Sequence, residues 1–177
     1  MTIKFGTDGW RAIIAKDFTV DNVARVAQGT AEWLLKTNPS PSVVLGSDCR
    51  FGGRMFAETV ALVMAQNGVK VLWDRNDFVS TPLVSLGTVQ HGAQAGVILT
   101  ASHNPPSSNG FKIKASYGGP AVPSMISEVE ALIPEQAPAL QKSVAYWKEW
   151  GRIVDVDLYS AYLDEIRQNF DLGAMQP

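Results

Sequence analysis

Ser102 and Lys112 are the side chains of this sequence whose types and spacing best suit joint chemistry. They belong to one stretch, Thr100-Ala101-Ser102-His103-Asn104-Pro105-Pro106-Ser107-Ser108-Asn109-Gly110-Phe111-Lys112. The apolar run Ala95 to Leu99 ahead of it reads as a buried strand. Asn104-Pro105 ends that strand, because proline lacks the N–H that a central strand needs. Ser102 is therefore expected just past the strand's end, and in open α/β sheets ligands bind in the crevice beyond the strands' carboxyl ends. Asn109-Gly110 predicts a second tight turn that brings Lys112 back toward the serine. A hydroxyl and a cation facing one small space suit phosphate chemistry.

The elements that must hold these residues alternate along the chain. Trp10 to Ile14 is a short apolar run, and Thr19 can cap a helix with Val20, Val23, Ala27, Thr30, Ala31 and Leu34 at helical spacing. Asn38-Pro39-Ser40-Pro41 breaks that helix, and Val43 to Leu45 makes the next strand. Gly52-Gly53 opens a helix with Phe56, Val60, Val63 and Met64 on one face, ended by Asn67-Gly68. A strand at Val69 to Trp73 and a helix from Thr81-Pro82 to His91-Gly92 follow, with Thr81 as cap. Short buried strands separated by amphipathic helices predict right-handed crossovers and a largely parallel sheet covered on both faces. Phe111 to Ser116 is expected to return antiparallel, since the connection is too short for a crossover helix.

The fold class expected is therefore α/β, a three-layer α/β/α domain with a mixed, mostly parallel sheet. Pro123 to Ile133 predicts one more helix, and the segment Pro134 to Pro138 reads as a boundary. We accordingly divide the chain into a domain at 1–134 and a linker with a small carboxyl-terminal helical appendage at 135–177. That appendage carries Tyr146, Trp147, Trp150, Tyr159, Tyr162 and Phe170, which read as packing residues rather than a ligand box.

Composition narrows the function. Fifteen Lys and Arg face 17 Asp and Glu, for a net charge of −2, with no block of like charge. Neither nucleic acid nor an anionic membrane is an expected partner. The single cysteine, Cys49, excludes an internal disulfide and any multi-cysteine metal site. No segment reaches the roughly 20 apolar residues of a membrane span, so the cytoplasm is the expected compartment.

The Ser102 stretch resembles the catalytic loop of the α-D-phosphohexomutases, the phosphoglucomutase and phosphomannomutase family, whose reactive serine lies in Thr-Ala-Ser-His-Asn-Pro followed by Asn-Gly-Phe-Lys. A second stretch, Phe5-Gly6-Thr7-Asp8-Gly9-Trp10-Arg11, is similar to the family's Phe-Gly-Thr-Asp-Gly-x-Arg. The family pattern continues with glycine where this chain has Ala12, whose Cβ resists positive φ. The resemblance implies the first domain of a phosphohexomutase. Ser102 would be the phosphate carrier, and His103 would contact or position the phosphoryl group. Lys112 would neutralise its charge and act as acid or base for the sugar hydroxyl, and Arg11 would grip phosphate oxygens through two donors. Asn104, Asn109 and Gly110 would line the phosphate and substrate.

The resemblance further implies phosphoryl transfer between the 1 and 6 positions of a hexose phosphate, with hexose 1,6-bisphosphate as intermediate and activator. Mg2+ would bind Ser102 through its phosphate oxygen. The family's metal, sugar and phosphate loops of its later domains are absent from these 177 residues. The further domains of the same polypeptide are therefore expected partners, and the isolated chain is expected to show no turnover.

Two alternatives stand beside this reading. One is a phosphosugar-binding module in which Ser102 only caps a turn. The other is a serine hydrolase, which is weakened because no Gly-x-Ser-x-Gly elbow exists. The chain also has only two histidines, and His103, as the immediate neighbour of Ser102, is awkwardly placed to be its base. The second, His91, is explained by a helix end. Arg11 could instead pair with Asp8 or Asp17, and Asp48-Cys49-Arg50 is expected to form an internal Asp–Arg bridge that shapes a loop.

Overall fold

A computed structural model describes every residue except Met1, Asp8, Asp77, Gln176 and Pro177. Strands β1 (Trp10–Ile13), β2 (Ser42–Ser47), β3 (Lys70–Asp74), β4 (Ala95–Leu99), β5 (Ser108–Ala115) and β6 (Ile153–Val156) form one sheet in the order β1-β5-β4-β2-β3-β6. β4, β2, β3 and β6 run parallel, and β5 is antiparallel to both β4 and β1. The helices are α1 (Val20–Thr37), α2 (Gly53–Gln66), α3 (Thr81–Gln90), α4 (Pro123–Ala131), α5 (Val144–Glu149) and α6 (Leu158–Asn169).

Side-chain alternation along the strands divides the core between the two faces. Val43, Leu45, Val97, Leu99, Phe111 and Ile113 meet α1, α2 and α4 on one face. Val44, Leu72 and Ile98 meet Leu83, Val84 and Leu158 of α3 and α6 on the other. The expected α/β/α layering is thus present. Thr19 caps α1 by accepting a hydrogen bond from Asn22 N at 3.2 Å, while the cap of α3 is Ser80, one residue before the expected Thr81.

Two sequence expectations need correction. Asn109-Gly110 is not a turn: β5 begins at Ser108, and both residues are buried strand positions opposite Ala12 and Arg11 of β1. The tight turn lies earlier, where Ser108 N donates to Pro105 O at 3.0 Å. The carboxyl-terminal segment is also not purely helical, because Ile153–Val156 pairs with Val71–Asp74 and extends the sheet. Trp147 packs against the first core and Tyr162 against the second, whereas Trp150, Tyr159 and Phe170 are exposed. Ala12 sits in extended backbone, so its Cβ brings no strain. Among the described residues no helix is long and apolar enough to cross a membrane.

Candidate active site

The carboxyl ends of β2 and β4 are neighbours, and the loops leaving them build the site. Parallel pairing places Ser47 beside Leu99, and Asp48 N continues the ladder by donating to Leu99 O at 3.0 Å. The segment Asp48-Cys49-Arg50 therefore lies directly against Thr100-Ala101-Ser102. Asp48 Oδ2 accepts a hydrogen bond from Thr100 Oγ1 at 2.5 Å and lies 3.5 Å from Arg50 Nε. Asp48 Oδ1 accepts from Arg50 N at 3.0 Å. The internal Asp–Arg bridge expected from sequence is present, and it is part of a larger network.

The Arg50 guanidinium reaches across the gap into the Ser102 loop. Its Nη2 donates to Ser102 O and Asn104 O, each at 2.7 Å, and its Nη1 donates to Pro105 O and Ser108 O, each at 2.9 Å. Ser102 N in turn donates to Thr100 Oγ1 at 3.0 Å. Ser102 is exposed, with φ of 56°, a left-handed conformation that non-glycine residues rarely adopt. Asp48, Cys49, Arg50, Phe51, Ser102 and Pro106 line one open groove. The neighbouring His103 is an exposed turn residue.

Arg11 comes to the same loop from β1. Its Nη1 donates to Asn104 Oδ1 at 3.4 Å, and it lines a second groove with Lys4, Gly6, Thr7 and Gly9. The lead into β1 is fixed by Glu130, which accepts from Phe5 N at 2.6 Å and from Lys4 Nζ at 2.8 Å. Burial pushes the Glu130 carboxyl up, but those hydrogen bonds and the Lys4 charge outweigh it and hold it below the usual carboxylate range. The tie is accordingly present above the ordinary glutamate range and is lost as pH falls through the depressed pKa.

Lys112 lies on the same sheet face as Arg11, because Arg11 pairs with Gly110 and side chains alternate along β5. It sits opposite Ile98 and is only 5% exposed, with its stem beneath Gly9. A Cβ on Gly9, whose φ is 97°, would meet Phe111 O at 2.6 Å and Lys112 Cγ at 2.9 Å, so only glycine allows this approach. Gly110 is equally constrained: a Cβ there would meet Thr100 O at 2.5 Å. Asn109 is fully buried and its side chain serves the backbone, accepting from Gly110 N at 2.8 Å and donating to Phe51 O at 3.4 Å.

The structure thus brings Ser102, His103, Asn104 and Arg11 together at one rim, with Lys112 beneath it and Asn109 and Gly110 in the supporting strand. The possible pairing of Arg11 with Asp8 lies outside the described residues. Two contributors escaped the sequence reading. Thr100 links Asp48 to Ser102, and Phe51 projects beside the serine with 78% exposure. Thr100 is visible in the sequence as the first residue of the Ser102 stretch but with no role of its own, and Phe51 only as the neighbour of Arg50.

A magnesium ion wants several oxygen ligands in octahedral geometry. The described residues hold no group of three His, Cys, Asp or Glu side chains able to supply them. Asp48, beside Ser102, has both carboxylate oxygens committed to Thr100 and Arg50. These residues do not by themselves fit a magnesium site.

Residues 2–139 match the family described as phosphoglucomutase/phosphomannomutase, alpha/beta/alpha domain I. A phosphoglucosamine mutase of Bacillus mycoides is 33% identical over 138 residues, covering 78% of this chain and 30% of that protein. A Schizosaccharomyces pombe protein assigned as a phosphoribomutase is 39% identical over 137 residues, covering 74% of this chain and 23% of its own length. Among solved structures, a Thermus thermophilus chain assigned as a phosphomannomutase superposes with a TM-score of 0.88 at 36% identity. That superposition covers 98% of this chain and 37% of the other. The chain spans less than a third of the length of these two sequence relatives.

Proposed function

The chain belongs to the phosphoglucomutase/phosphomannomutase family, matching its α/β/α domain I, and from that membership we propose that it carries the transferable phosphoryl group of a phosphohexomutase on Ser102. The observation that supports this most is the exposed, left-handed Ser102 at the sheet's carboxyl edge, in a loop that Arg11 also touches. Similar relatives bear the names of mutases for glucosamine, ribose and mannose phosphates, so a sugar monophosphate is the shared substrate class, and we take a hexose phosphate as the substrate.

In the proposed reaction, phosphoserine 102 meets the free hydroxyl of a hexose monophosphate. The bond from phosphorus to Ser102 Oγ breaks as one to the sugar oxygen forms, and the hydroxyl proton passes to a neighbouring base. The resulting hexose 1,6-bisphosphate turns over and returns its other phosphate to the serine. Monoester replaces monoester, so catalysis rests on positioning and on cations around a loose transition state. Arg11, His103 and Lys112 are the groups we assign to that charge, and Asn104 orients Arg11. Phosphoserine carries about −1.5 to −2 charge at neutral pH, which magnesium would offset in part, with the phosphate oxygen as this chain's own contribution.

The test is stoichiometric rather than kinetic. The purified chain is incubated with glucose 1,6-bisphosphate and its peptides are weighed. We expect one phosphate on Ser102, none on a Ser102→Ala variant, and no measurable conversion of glucose 1-phosphate by the chain alone. Bisphosphate bound without covalent change would instead favour a binding module, and labelling of Ser102 by an acylating probe would favour a hydrolase.

A further inference from the structure

We infer that Arg50 is a positioning residue for Ser102, its guanidinium dictating the backbone geometry in which the hydroxyl is presented; the inference rests on the phosphoserine reading above. Arginine has five N–H donors and no acceptor. Here the four on Nη1 and Nη2 meet four backbone carbonyls, those of Ser102, Asn104, Pro105 and Ser108, and Nε faces Asp48. All four Nη donors are committed within the protein, and Nε lies at ion-pair distance from Asp48. Arg50 therefore acts on phosphate through the loop rather than by gripping it.

The loop makes few bonds of its own. Asn104 N donates to Ala101 O and Ser108 N to Pro105 O, and the two prolines have no N–H to offer. Four carbonyls of the loop and its exit converge on one cation, and Pro105 O accepts from Arg50 in addition to Ser108 N. Both peptide groups flanking the Cα of residue 102 are held as well: its carbonyl by Arg50 Nη2, and its N–H by Thr100 Oγ1, which Asp48 fixes from behind. With both held, φ at residue 102 is set and the side chain has only the solvent side left. Left-handed backbone at a non-glycine residue persists only where the surroundings over-determine it, and the Asp48–Arg50–Thr100 network supplies that constraint.

A lysine could not replace this arrangement. Its three donors radiate from one point, whereas the guanidinium is a rigid planar fork that spans separated acceptors. The test combines amide hydrogen exchange with Ser102 phosphorylation by glucose 1,6-bisphosphate in the whole chain, for the parent sequence, Arg50→Lys and Arg50→Ala. In Arg50→Ala, exchange at the Ser102 and Asn104 amides rises by roughly tenfold or more while Val44 and Val97 in β2 and β4 stay protected. Phosphorylation slows by about 100-fold, the scale of a 1 Å misplacement. Arg50→Lys recovers little of the rate, and added guanidinium ion restores part of it to Arg50→Ala. Should Arg50→Ala not fold, Arg50→Lys carries the same comparison. Unchanged exchange in the loop overturns the inference, and so does a loosened loop with an unchanged phosphorylation rate. If the parent chain itself accepts no phosphate, the phosphoserine reading falls, and the exchange comparison alone decides whether Arg50 sets residue 102.

Discussion

At the β1–β5–β4 end of the sheet, Arg50 turns its donors inward to four carbonyls and a carboxylate. At the β3–β6 end, Lys148 and Arg75 reach outward to Asp155 and Asp157. The difference lies in what these cations hold: Arg50 holds the backbone around left-handed Ser102, whereas Lys148 and Arg75 each meet a carboxylate, that of Asp155 or of the α6 cap Asp157. The groove at the second end mixes Arg54 and Lys148 with Glu58 and Asp155, and none of these fixes a left-handed residue. Ion pairs alone do not mark a reactive site. What sets the first end apart is a cation that organises backbone around the exposed Ser102 hydroxyl, the group we propose as phosphate carrier.

The largest effect that would sharpen this contrast is expected from Gly110→Ala. The new Cβ would press on Thr100 O at 2.5 Å and Trp10 O at 3.0 Å, and neither backbone carbonyl can swing away as a side chain would. A loss of about 2–3 kcal/mol in urea unfolding is expected for such overpacking. A loss within experimental error would mean that the sheet beside Ser102 yields more readily than we argue.

Ser102→Gly should do the opposite on a smaller scale. Removing the Cβ from φ of 56° relieves a left-handed cost of about 1–2 kcal/mol, and glycine's extra unfolded-chain freedom takes back roughly half of it. A net gain of a few tenths to about 1 kcal/mol is expected, together with complete loss of phosphate acceptance. A destabilised glycine variant would show that residue 102 is not strained. The smallest effect belongs to the other end of the sheet. Lys148 and Asp155 are 40% and 48% exposed, so Lys148→Ala should cost less than about 0.5 kcal/mol, read from the same unfolding curves. A cost of several times that amount would erase the distinction between the two ends.

Much of this was legible in the sequence because periodicity reports burial. The alternation of strands and helices follows from Val43 to Leu45, Ala95 to Leu99 and the apolar face of α1. The position of Ser102 followed from the apolar run ahead of it and the prolines behind it. Asn109-Gly110 misled because the pair is a strong turn signal locally, whereas here the asparagine caps the next amide from inside a strand and the glycine makes room for Thr100 O. The four-residue β6 escaped because Asp155 interrupts its apolar pattern on an outward-facing edge position. The reach of Arg50 was illegible in principle. It contacts carbonyls 52 to 58 residues away, and a carbonyl carries no signature in residue type.

The most direct test of the central claim is the mass of the Ser102 peptide after exposure of the intact chain to glucose 1,6-bisphosphate. One added phosphate is expected, located on Ser102 Oγ and absent from Ser102→Ala. An unmodified Ser102 peptide, or a phosphate found on another residue, would contradict it.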